Sequence, residues 1–283
     1  MIKRFLAKIK ASAFFSFLRR CKYKLKRKNK NSVFISLEEF EKILINDLGI
    51  TSGDAIMVHC GFGFLKASFT PNDLIELLIK TVGPNGHIMM PFYPPGLSRD
   101  WACSENIFDP DKVKSSTGVV SQLFNNRSDT YVSCHPLKAV SVWGLNAEEI
   151  VAGHQKSSYP YDIDSPYYKF AKLKNSKSIG LGVKNCSTFH LAEDLYEDNK
   201  SYLYTKFQQS LKVQYKKESV IINTYYHHGK IKLMESLVFL GFRLPTLVKV
   251  FDLNNTSFYV VRNDELLKAC KELFQKGFTR ICH

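Results

Sequence analysis

A histidine, a glutamate and a cysteine lie close together near residue 190. Glu193 follows His190 by three positions, so the two share one face if the segment is helical, and Cys186 precedes His190 by four. Histidine is the usual general base near neutral pH, and a neighbouring carboxylate can orient its ring and stabilise its charged form. His190 and Glu193 are therefore a candidate catalytic pair, although the spacing alone favours a histidine that caps or packs its helix.

A glycine-containing turn precedes this segment. Gly180 and Gly182 end an apolar, strand-like run, and a turn of this kind from strand to helix lets backbone N–H groups approach a phosphate or an oxyanion. The turn lacks the third glycine of a dinucleotide-binding fingerprint and the lysine of a P-loop. Cys186 and His190 could form a nucleophilic pair, but no other feature requires a thiolate, which favours a buried, unreactive cysteine.

The remaining histidines and cysteines do not follow a metal-binding pattern, and we expect no metal. His227 and His228 are adjacent, so in a strand they point to opposite faces. The seven cysteines are scattered and form no CxxC pair, which argues against a structural zinc site or a disulfide framework and favours a reducing cytoplasm. His59 and His135 lie at strand or loop ends, where a core role and a site role are equally open.

Several segments carry clear signals for helices and strands. Ser36 begins a capping box followed by an amphipathic helix that ends at Gly49, and Thr70 opens a second helix that runs through Lys80. Apolar runs bounded by turns predict buried strands. The strands expected are residues 54–59, 87–91, 140–144, 178–183, 220–226 and 257–261, and the further helices are 117–125, 190–196 and 264–276.

Strands that alternate with helices predict a parallel or mixed sheet covered on both faces. The sequence therefore indicates an α/β protein with a single domain: a central mixed β-sheet flanked by helices, plus a strand-rich C-terminal part. We place this domain at residues 31–283, after a basic N-terminal arm of residues 1–30. The composition, 45% hydrophobic and 23% charged, excludes wholesale disorder, and no apolar run reaches the roughly 18 residues of a membrane-spanning helix.

The net charge of +14 is concentrated in the N-terminal arm. Residues 1–30 contain twelve Lys and Arg residues and no acid, which leaves 28 basic and 26 acidic residues, a charge of +2, in the rest of the chain. Apolar residues recur at spacings of three and four over residues 2–17, which favours a basic amphipathic helix at an anionic membrane surface. The alternatives are a helix packed on its own domain or on an oligomer partner, a nucleic-acid tail and a signal peptide with a marginal apolar core.

Six sequence blocks, in order, resemble the aminoglycoside 3-N-acetyltransferase family, whose members move an acetyl group from acetyl-CoA to a sugar amine. The order of the blocks is more specific than any one of them. They are residues 53–59 (GDAIMVH), 82–91 (VGPNGHIMMP), 108–118 (FDP followed by Ser115 and Gly118), 133–136 (SCHP), 165–169 (SPYYK) and 180–193 (from GLG to HLAE).

The resemblance implies an acyl-CoA-dependent transferase. His190 would take a proton from the sugar ammonium, the freed amine would attack the thioester carbonyl, and Glu193 or another carboxylate would hold the imidazole. Backbone donors at the glycine turns would stabilise the oxyanion. By the same resemblance acyl-CoA contacts His59, Cys60, Gly61, Phe62, Gly63, Lys114, Ser115, Ser116, His135 and Pro136, and the acceptor contacts Tyr93, Asp164 and Cys186.

Some positions depart from the family pattern. Residues 60–63 (CGFG) stand where the family has a serine-rich turn, so hydroxyl donors are lost while two glycines still allow close backbone approach. Lys114 occupies part of the family's Thr-Pro pair and could contact a CoA phosphate. The acidic C-terminal positions of the family do not align convincingly, which leaves Glu235 and Asp252 as candidates for a second catalytic carboxylate.

Charge also bears on the acceptor, because a polycationic aminoglycoside needs carboxylates around it. We instead expect an anionic acceptor: a nucleotide-linked amino sugar, of the dTDP-linked amino-dideoxy type, that receives an acetyl or short hydroxyacyl group for surface-polysaccharide synthesis. The loops expected at the site carry Lys66, Arg99, Lys112, Lys114, Lys138 and Lys184.

Two other functions stay open: an aminoglycoside 3-N-acetyltransferase that confers antibiotic resistance, and a catalytically inactive CoA- or sugar-binding protein. The expected partners are a coenzyme A thioester and the amino sugar, without nucleic acid. The expected location is the cytoplasm, with peripheral contact at the inner face of the membrane, and a homodimer is compatible with these expectations.

Overall fold

The computed structural model describes residues 34–281 and contains a seven-stranded central β-sheet and a separate two-stranded hairpin. This architecture confirms the predicted α/β class with a mixed sheet. The strands are β1 (Ala55–Cys60), β2 (His87–Pro91), β3 (Thr130–Val132), β4 (Val140–Gly144), β5 (Ser176–Leu181), β6 (Gln209–Tyr215), β7 (Glu218–Thr224), β8 (Lys249–Leu253) and β9 (Thr256–Arg262).

Helices connect the strands and cover both faces of the sheet. A π-type turn, Ile43–Asp47, extends the first helix, and short 3-10 turns lie in several loops. The helices are α1 (Leu37–Lys42), α2 (Pro71–Val82), α3 (Ser98–Ala102), α4 (Val119–Asn125), α5 (Ala147–Val151), α6 (Pro166–Ala171), α7 (Ser187–Tyr196), α8 (Ser236–Arg243) and α9 (Asn263–Gln275), and the 3-10 turns are Phe62–Phe64, His154–Lys156 and Lys200–Tyr202.

Strand β1 lies in the middle of the central sheet, whose order is β3-β4-β2-β1-β5-β9-β8. It runs parallel to β2 and β5, while the outer strands pair antiparallel with their neighbours. The carboxyl ends of β1, β2 and β5 therefore meet at one edge. Open α/β sheets bind their ligands in the crevice beyond this edge.

The two helix starts predicted from capping residues are confirmed. The Ser36 side chain accepts from the backbone N–H of Glu39, and the Glu39 carboxylate accepts from the backbone N–H of Ser36. Thr70 and Asp73 form the same reciprocal pair at the start of α2. These bonds satisfy donors that the first turn of a helix leaves free, so the local sequence sets where both helices begin.

Alternate residues of β1 supply two separate apolar cores. Ile56 and Val58 pack with residues of α1, α2 and α4 on one face of the sheet. Ala55 and Met57 pack with residues of α6, α7 and α9 on the other. Side chains alternate between the two faces of a strand, and a strand with helices on both faces is therefore apolar throughout.

The C-terminal part differs from the prediction in its detail. The expected strands near 220–226 and 257–261 are β7 and β9, but β6, β8 and helix α8 carried no recognised signal. The hairpin of β6 and β7 turns at Lys216 and Lys217, which have φ values of 48° and 69°. Lysine is not a typical residue for this left-handed turn, which explains why the sequence did not reveal the hairpin.

The basic arm, residues 1–30, lies outside the described residues, so its amphipathic helix and its membrane contact stay predictions. Within residues 34–281, no helix is both long enough and apolar enough to cross a membrane.

Candidate active site

His190 and Glu193 lie on one face of α7 and contact each other directly. The helix begins at Ser187, just beyond the turn that follows β5. One helical turn separates the two side chains, and His190 Nδ1 is 2.7 Å from Glu193 Oε2. The structure thus brings together the pair that the sequence places three residues apart, and its catalytic role stays a prediction.

Arg280 completes the pair from the far end of the chain. Its Nε lies 2.6 Å from Glu193 Oε1 and its Nη2 lies 3.0 Å from Glu193 Oε2, which is a two-pronged contact. A third donor, Nη1, bonds the carbonyl of Met234 at 2.8 Å. Sequence reasoning missed Arg280, because 87 residues separate it from Glu193 and no local motif surrounds it.

The protonation states of this trio follow from burial and from charge. Burial alone would raise the pKa of Glu193, but the Arg280 charge and the bonds from His190 and Arg280 outweigh it and hold that pKa below its usual value. Burial lowers the pKa of His190, and the bond to Glu193 only partly opposes this shift. An ionised carboxylate can only accept, so Nδ1 of a neutral His190 carries the proton. Nε2 then holds a lone pair that can take a proton from a substrate.

Aromatic rings surround the His190 imidazole. The ring centroids of Tyr161 and His227 lie 5.5 Å and 6.1 Å from that of His190. Asp194, the residue after Glu193, accepts from the Tyr204 hydroxyl at 2.7 Å and from the Tyr161 backbone N–H at 3.0 Å. Asp194 therefore fixes the loop that holds Tyr161 against the base, while about a quarter of the His190 side chain stays exposed.

A second buried histidine positions the start of α7. The backbone N–H of Ser187 donates to His59 Nε2 at 3.1 Å, so the proton of the neutral ring sits on Nδ1, 3.2 Å from the Tyr259 hydroxyl. Tyr259 in turn donates to the carbonyl of Asn185. Burial lowers the pKa of His59 to about 4, which keeps its ring neutral. His59 thus links the end of β1 to the helix that carries His190.

Tyr93 connects this network to the loop after β2. Its hydroxyl lies 3.2 Å from Ser187 Oγ, 3.2 Å from the Tyr161 hydroxyl and 3.1 Å from the Tyr167 hydroxyl. Sequence reasoning assigned Tyr93 to the acceptor site but did not foresee the other hydroxyl groups. The resulting chain of hydroxyls runs from His59 to the ring that packs on His190.

Gly180 is required at the point where β5 passes Tyr259. A Cβ at this position would lie 2.0 Å from Cε1 of Tyr259 and 2.6 Å from the carbonyl oxygen of Val183. We expect Gly180→Ala to lower the free energy of unfolding by about 1–3 kcal/mol through overpacking. A displaced Tyr259 would also lose its contact with His59. Urea denaturation monitored by circular dichroism measures the stability change.

Gly241→Ala in α8 is the matched control for that substitution. No atom lies within 4 Å of a Cβ at Gly241, and alanine suits a helix better than glycine. We expect this variant to be unchanged or stabilised by up to about 1 kcal/mol. Equal unfolding midpoints for the two variants would contradict the packing argument at Gly180.

The segments predicted to hold the cofactor meet at the carboxyl ends of β1 and β2. The Gly61 backbone N–H bonds the carbonyl of Leu181 at 2.9 Å, and the Ser116 N–H bonds the carbonyl of Tyr93 at 2.8 Å. A Cβ at Gly118 would lie 3.6 Å from the Cys60 carbonyl oxygen, so the two segments are in contact. The contact of both segments with acyl-CoA stays a prediction. The same holds for the other residues assigned to this contact in the two segments: Phe62, Gly63, Lys114 and Ser115.

The structure gives His135 a different environment from the one expected. The ring is fully buried, its Nδ1 accepts from the Leu137 N–H at 3.3 Å, and its Nε2 lies 3.2 Å from the Thr224 hydroxyl. It also packs on His154, with ring centroids 4.7 Å apart. Pro136 beside it is buried as well. In this structure both residues shape a turn and offer no surface to a ligand.

The other predicted residues lie apart from the His190 imidazole. Cys186 is buried, and burial raises its thiol pKa to about 11, which suits an unreactive cysteine. Asp164 is exposed in the loop before α6. Glu235 is exposed at the start of α8, and Asp252 is exposed on edge strand β8. The buried carboxylate that contacts His190 is that of Glu193.

A cleft of about 340 Å³ opens next to this constellation. A narrow gap beside the cleft, too small to hold a water molecule, is lined by Ser98, Leu137, Lys138 and His227 of the cleft and by Tyr161, the ring that packs on His190. Arg99 and Lys138 are the charged lining residues of the cleft, and its lining includes no aspartate or glutamate. The full lining is Tyr93, Pro94, Gly96, Leu97, Ser98, Arg99, Trp101, Ser116, Leu137, Lys138, His227, His228 and Gly229.

The part of the chain that the structure describes holds no group of three or more His, Cys, Asp or Glu residues arranged to bind a metal ion.

Comparison with known proteins identifies the class. The sequence profile of the aminoglycoside 3-N-acetyltransferases matches residues 57–275. The chain therefore belongs to the aminoglycoside 3-N-acetyltransferase family, a family of acetyltransferases. This confirms the family inferred from the six sequence blocks.

Solved structures with the same fold include both substrate and cofactor complexes. AAC-VIa bound to sisomicin is 19% identical with a TM-score of 0.72, and 87% of this chain aligns with all of that chain. AAC-IIIb with CoASH is 18% identical with a TM-score of 0.72, covering 89% of this chain and all of that one. The YokD protein from Bacillus subtilis is 18% identical with a TM-score of 0.66, covering 86% and 94%. At these identities the likeness establishes the fold.

Proposed function

We propose that the protein is an acyl-CoA-dependent N-acyltransferase that acylates the amine of an amino sugar carried on a nucleotide diphosphate. The observation that carries this proposal is the trio of His190, Glu193 and Arg280, which supplies a neutral imidazole with an available lone pair beside a cleft. For residues 1–30, the proposal includes only a contact with an anionic membrane surface on the cytoplasmic side.

His190 acts as the general base in this proposal. Its Nε2 takes a proton from the sugar ammonium, and Glu193 stabilises the imidazolium that forms. The acyl-CoA supplies a thioester whose carbonyl carbon bonds to the freed amine while the carbon–sulfur bond breaks and the thiol leaves. The donors expected from the glycine turns for the negative charge on the carbonyl oxygen are engaged in this structure at Gly61 and Gly182, whose backbone N–H groups bond the carbonyls of Leu181 and Ser257.

The edge formed by β1, β2 and β5 fits a coenzyme A chain. Of the two glycines in residues 61–63, Gly63 is exposed, while Gly61 packs against Val183 and Phe64 of this chain. The hydroxyl-bearing Ser115 and Ser116 lie beside them, and Lys114 is exposed and able to meet a phosphate. Burial raises the pKa of Cys60 to about 12, which keeps its thiol from competing for the acyl group.

The charge of the cleft supports an anionic acceptor. Its charged lining residues, Arg99 and Lys138, are both cations. A polycationic antibiotic in this cleft would meet like charge, and the repulsion is substantial at the short distances and reduced dielectric of a cleft. A phosphate-bearing sugar would instead be attracted.

Aminoglycoside acetylation is the second candidate. AAC-VIa, which shares the fold, is bound to sisomicin, and the family profile is that of aminoglycoside 3-N-acetyltransferases. A catalytically inactive binding protein is less well supported, because His190 and Glu193 retain a direct contact and a buried cationic partner.

An acceptor comparison tests the proposal. With acetyl-CoA, we expect the kcat/KM for thiol release to be at least about 10-fold higher with a dTDP-linked amino-dideoxy sugar than with kanamycin, since the cleft attracts anions. The rate without acceptor is subtracted as the control. Turnover with kanamycin alone would overturn the nucleotide-sugar proposal and leave the aminoglycoside candidate standing.

A further inference from the structure

The ammonium of Lys138 lies in the acceptor cleft without a carboxylate partner. Its Nζ is 4.2 Å from the centroid of the Tyr93 ring, and no carboxylate among residues 34–281 lies within ion-pair distance of it. The face of an aromatic ring attracts a cation but does not replace a counter-ion. Lys138 is therefore a charged group held at a ligand cavity with its hydrogen-bond donors unused.

The backbone of Lys138 is held on both sides. Its N–H points at His135 Nδ1 at 3.4 Å, and its carbonyl accepts from the Tyr167 hydroxyl at 3.1 Å. The buried ring of His135, which sequence reasoning placed at the cofactor, thus sets the turn that presents this lysine. Burial lowers the pKa of Lys138 to about 8, so the ammonium is still the main form at neutral pH, and a bound anion would stabilise it.

We propose that Lys138 and Arg99 form an anion subsite that binds the phosphate or diphosphate of the acceptor sugar. The inference rests on the proposed function in assigning this anion to the acceptor. Arg99 lines the same cavity and is half exposed, and its one ion-pair contact with residues 34–281 joins Nε to Asp100 Oδ1 at 3.7 Å. Its remaining donors are therefore available in the planar geometry that suits phosphate.

The two histidines of the cleft do not add charge to this subsite. Burial lowers the pKa of His227 to about 3, which keeps its ring neutral. The Nδ1 of His228 accepts from the Lys230 backbone N–H at 3.0 Å, and its Nε2 lies 3.1 Å from the carbonyl of Ser201. The charge that an acceptor meets in the cleft thus comes from Lys138 and Arg99.

The subsite adjoins the base. His227 lines the cleft, and its ring lies 6.1 Å from that of His190, while Tyr161 lines the narrow gap beside the cleft at 5.5 Å. An acceptor whose phosphate lies at Lys138 is therefore held next to the two rings that pack on His190. The same positive charge disfavours an acceptor with several ammonium groups, so Lys138 determines specificity for the acceptor.

Calorimetric titration of the full-length protein with inorganic pyrophosphate tests the subsite. We expect wild-type protein to bind pyrophosphate and Lys138→Met to raise the Kd by about 10- to 100-fold, because this is the usual contribution of hydrogen bonds to a charged group. Lys268→Met, which removes an exposed lysine from α9, is the matched control and leaves the Kd unchanged. Absence of binding to wild-type protein, or equal Kd values for Lys138→Met and Lys268→Met, would overturn the inference. If Lys138→Met does not fold, Arg99→Met is tested instead, since this side chain is half exposed. An unchanged Kd for Arg99→Met would then overturn the inference.

A charge reversal separates this inference from the proposed function. We expect Lys138→Glu to lower thiol release with a dTDP-linked amino sugar and to raise it with kanamycin relative to wild type. If wild-type protein acylates no amino sugar while pyrophosphate binding still depends on Lys138, the proposed function fails and the anion subsite stands. If transfer to the nucleotide sugar is the same with Lys138→Glu as with wild type, the subsite fails and the proposed function stands.

Discussion

Replacing His190 with asparagine lowers kcat/KM for thiol release by about 10²–10⁴-fold, the range that a general base contributes. Asparagine keeps a polar side chain next to Glu193 but has no lone pair of suitable basicity for the sugar ammonium. The fold is retained, because about a quarter of the His190 side chain is exposed. Initial rates with acetyl-CoA and a saturating acceptor measure the loss, and the unfolding midpoint reports the stability of the variant.

His87→Asn is the matched control for that experiment. His87 lies at the start of β2, at the opposite end of the strand from the cleft, and contacts the carbonyl of Leu145. We expect its kcat/KM to stay close to that of wild type. If His190→Asn keeps activity similar to that of His87→Asn, the base is elsewhere.

The wild-type pH profile follows from the same protonation state. Only neutral His190 can accept a proton, so activity falls as the pH drops through the pKa of this residue. Burial lowers that pKa below the ordinary 6.5, so the decline lies below pH 6.5 and activity is independent of His190 titration above it. A profile whose acidic limb lies well above pH 6.5 would contradict the neutral-base assignment.

Local sequence was sufficient for the features that depend on neighbouring residues. The spacing of His190 and Glu193 placed them in contact because a helix brings positions three apart onto one face. The caps at Ser36 and Thr70 predicted two helix starts because each cap joins residues that are three positions apart. The central strands were recognisable as apolar runs, since β1 is buried on both of its faces.

Features that depend on distant parts of the chain were not recognisable. Arg280 meets Glu193 across 87 residues, and the Ser187 N–H meets His59 across 128. Lys138 and Arg99 were two of six basic residues expected in the loops at the site, and nothing in the local sequence separates them from the other four until the fold brings them to the cleft. The ligand contact that the sequence block predicts for His135 stays a prediction, but the Thr224 hydroxyl and the His154 ring that contact this buried histidine were not recognisable from the block.

Removing the charge of Arg280 has the second large expected effect. Arg280→Met leaves Glu193 buried, with His190 as its remaining charged or titratable partner, and breaking a buried ion pair in this way costs about 3–5 kcal/mol of stability. The loss is largest at neutral pH. In the wild type, Glu193 has a lower pKa in the folded protein than in the unfolded chain. Its ionised carboxylate therefore stabilises the fold at pH values above the unfolded-state pKa. In the variant, protonation of Glu193 at lower pH removes the unpaired buried charge. The difference in unfolding free energy between wild type and variant therefore becomes smaller as the pH falls. Urea denaturation at pH 5 and pH 7.5 measures both values.

The pH profile distinguishes a positioning role for Arg280 from a purely structural one. Its charge helps to lower the pKa of His190, so Arg280→Met raises that pKa and moves the acidic limb of kcat/KM to higher pH. Arg262→Met removes an arginine whose exposed ion pairs with Asp264 and Glu265 stabilise the fold little, so this variant should keep the unfolding midpoint and the acidic limb of the wild type. A destabilised Arg280→Met with an unmoved acidic limb would show that Arg280 holds the C-terminus and Glu193 without tuning the base. An unmoved limb together with wild-type stability would refute the ion pair as a structural element as well.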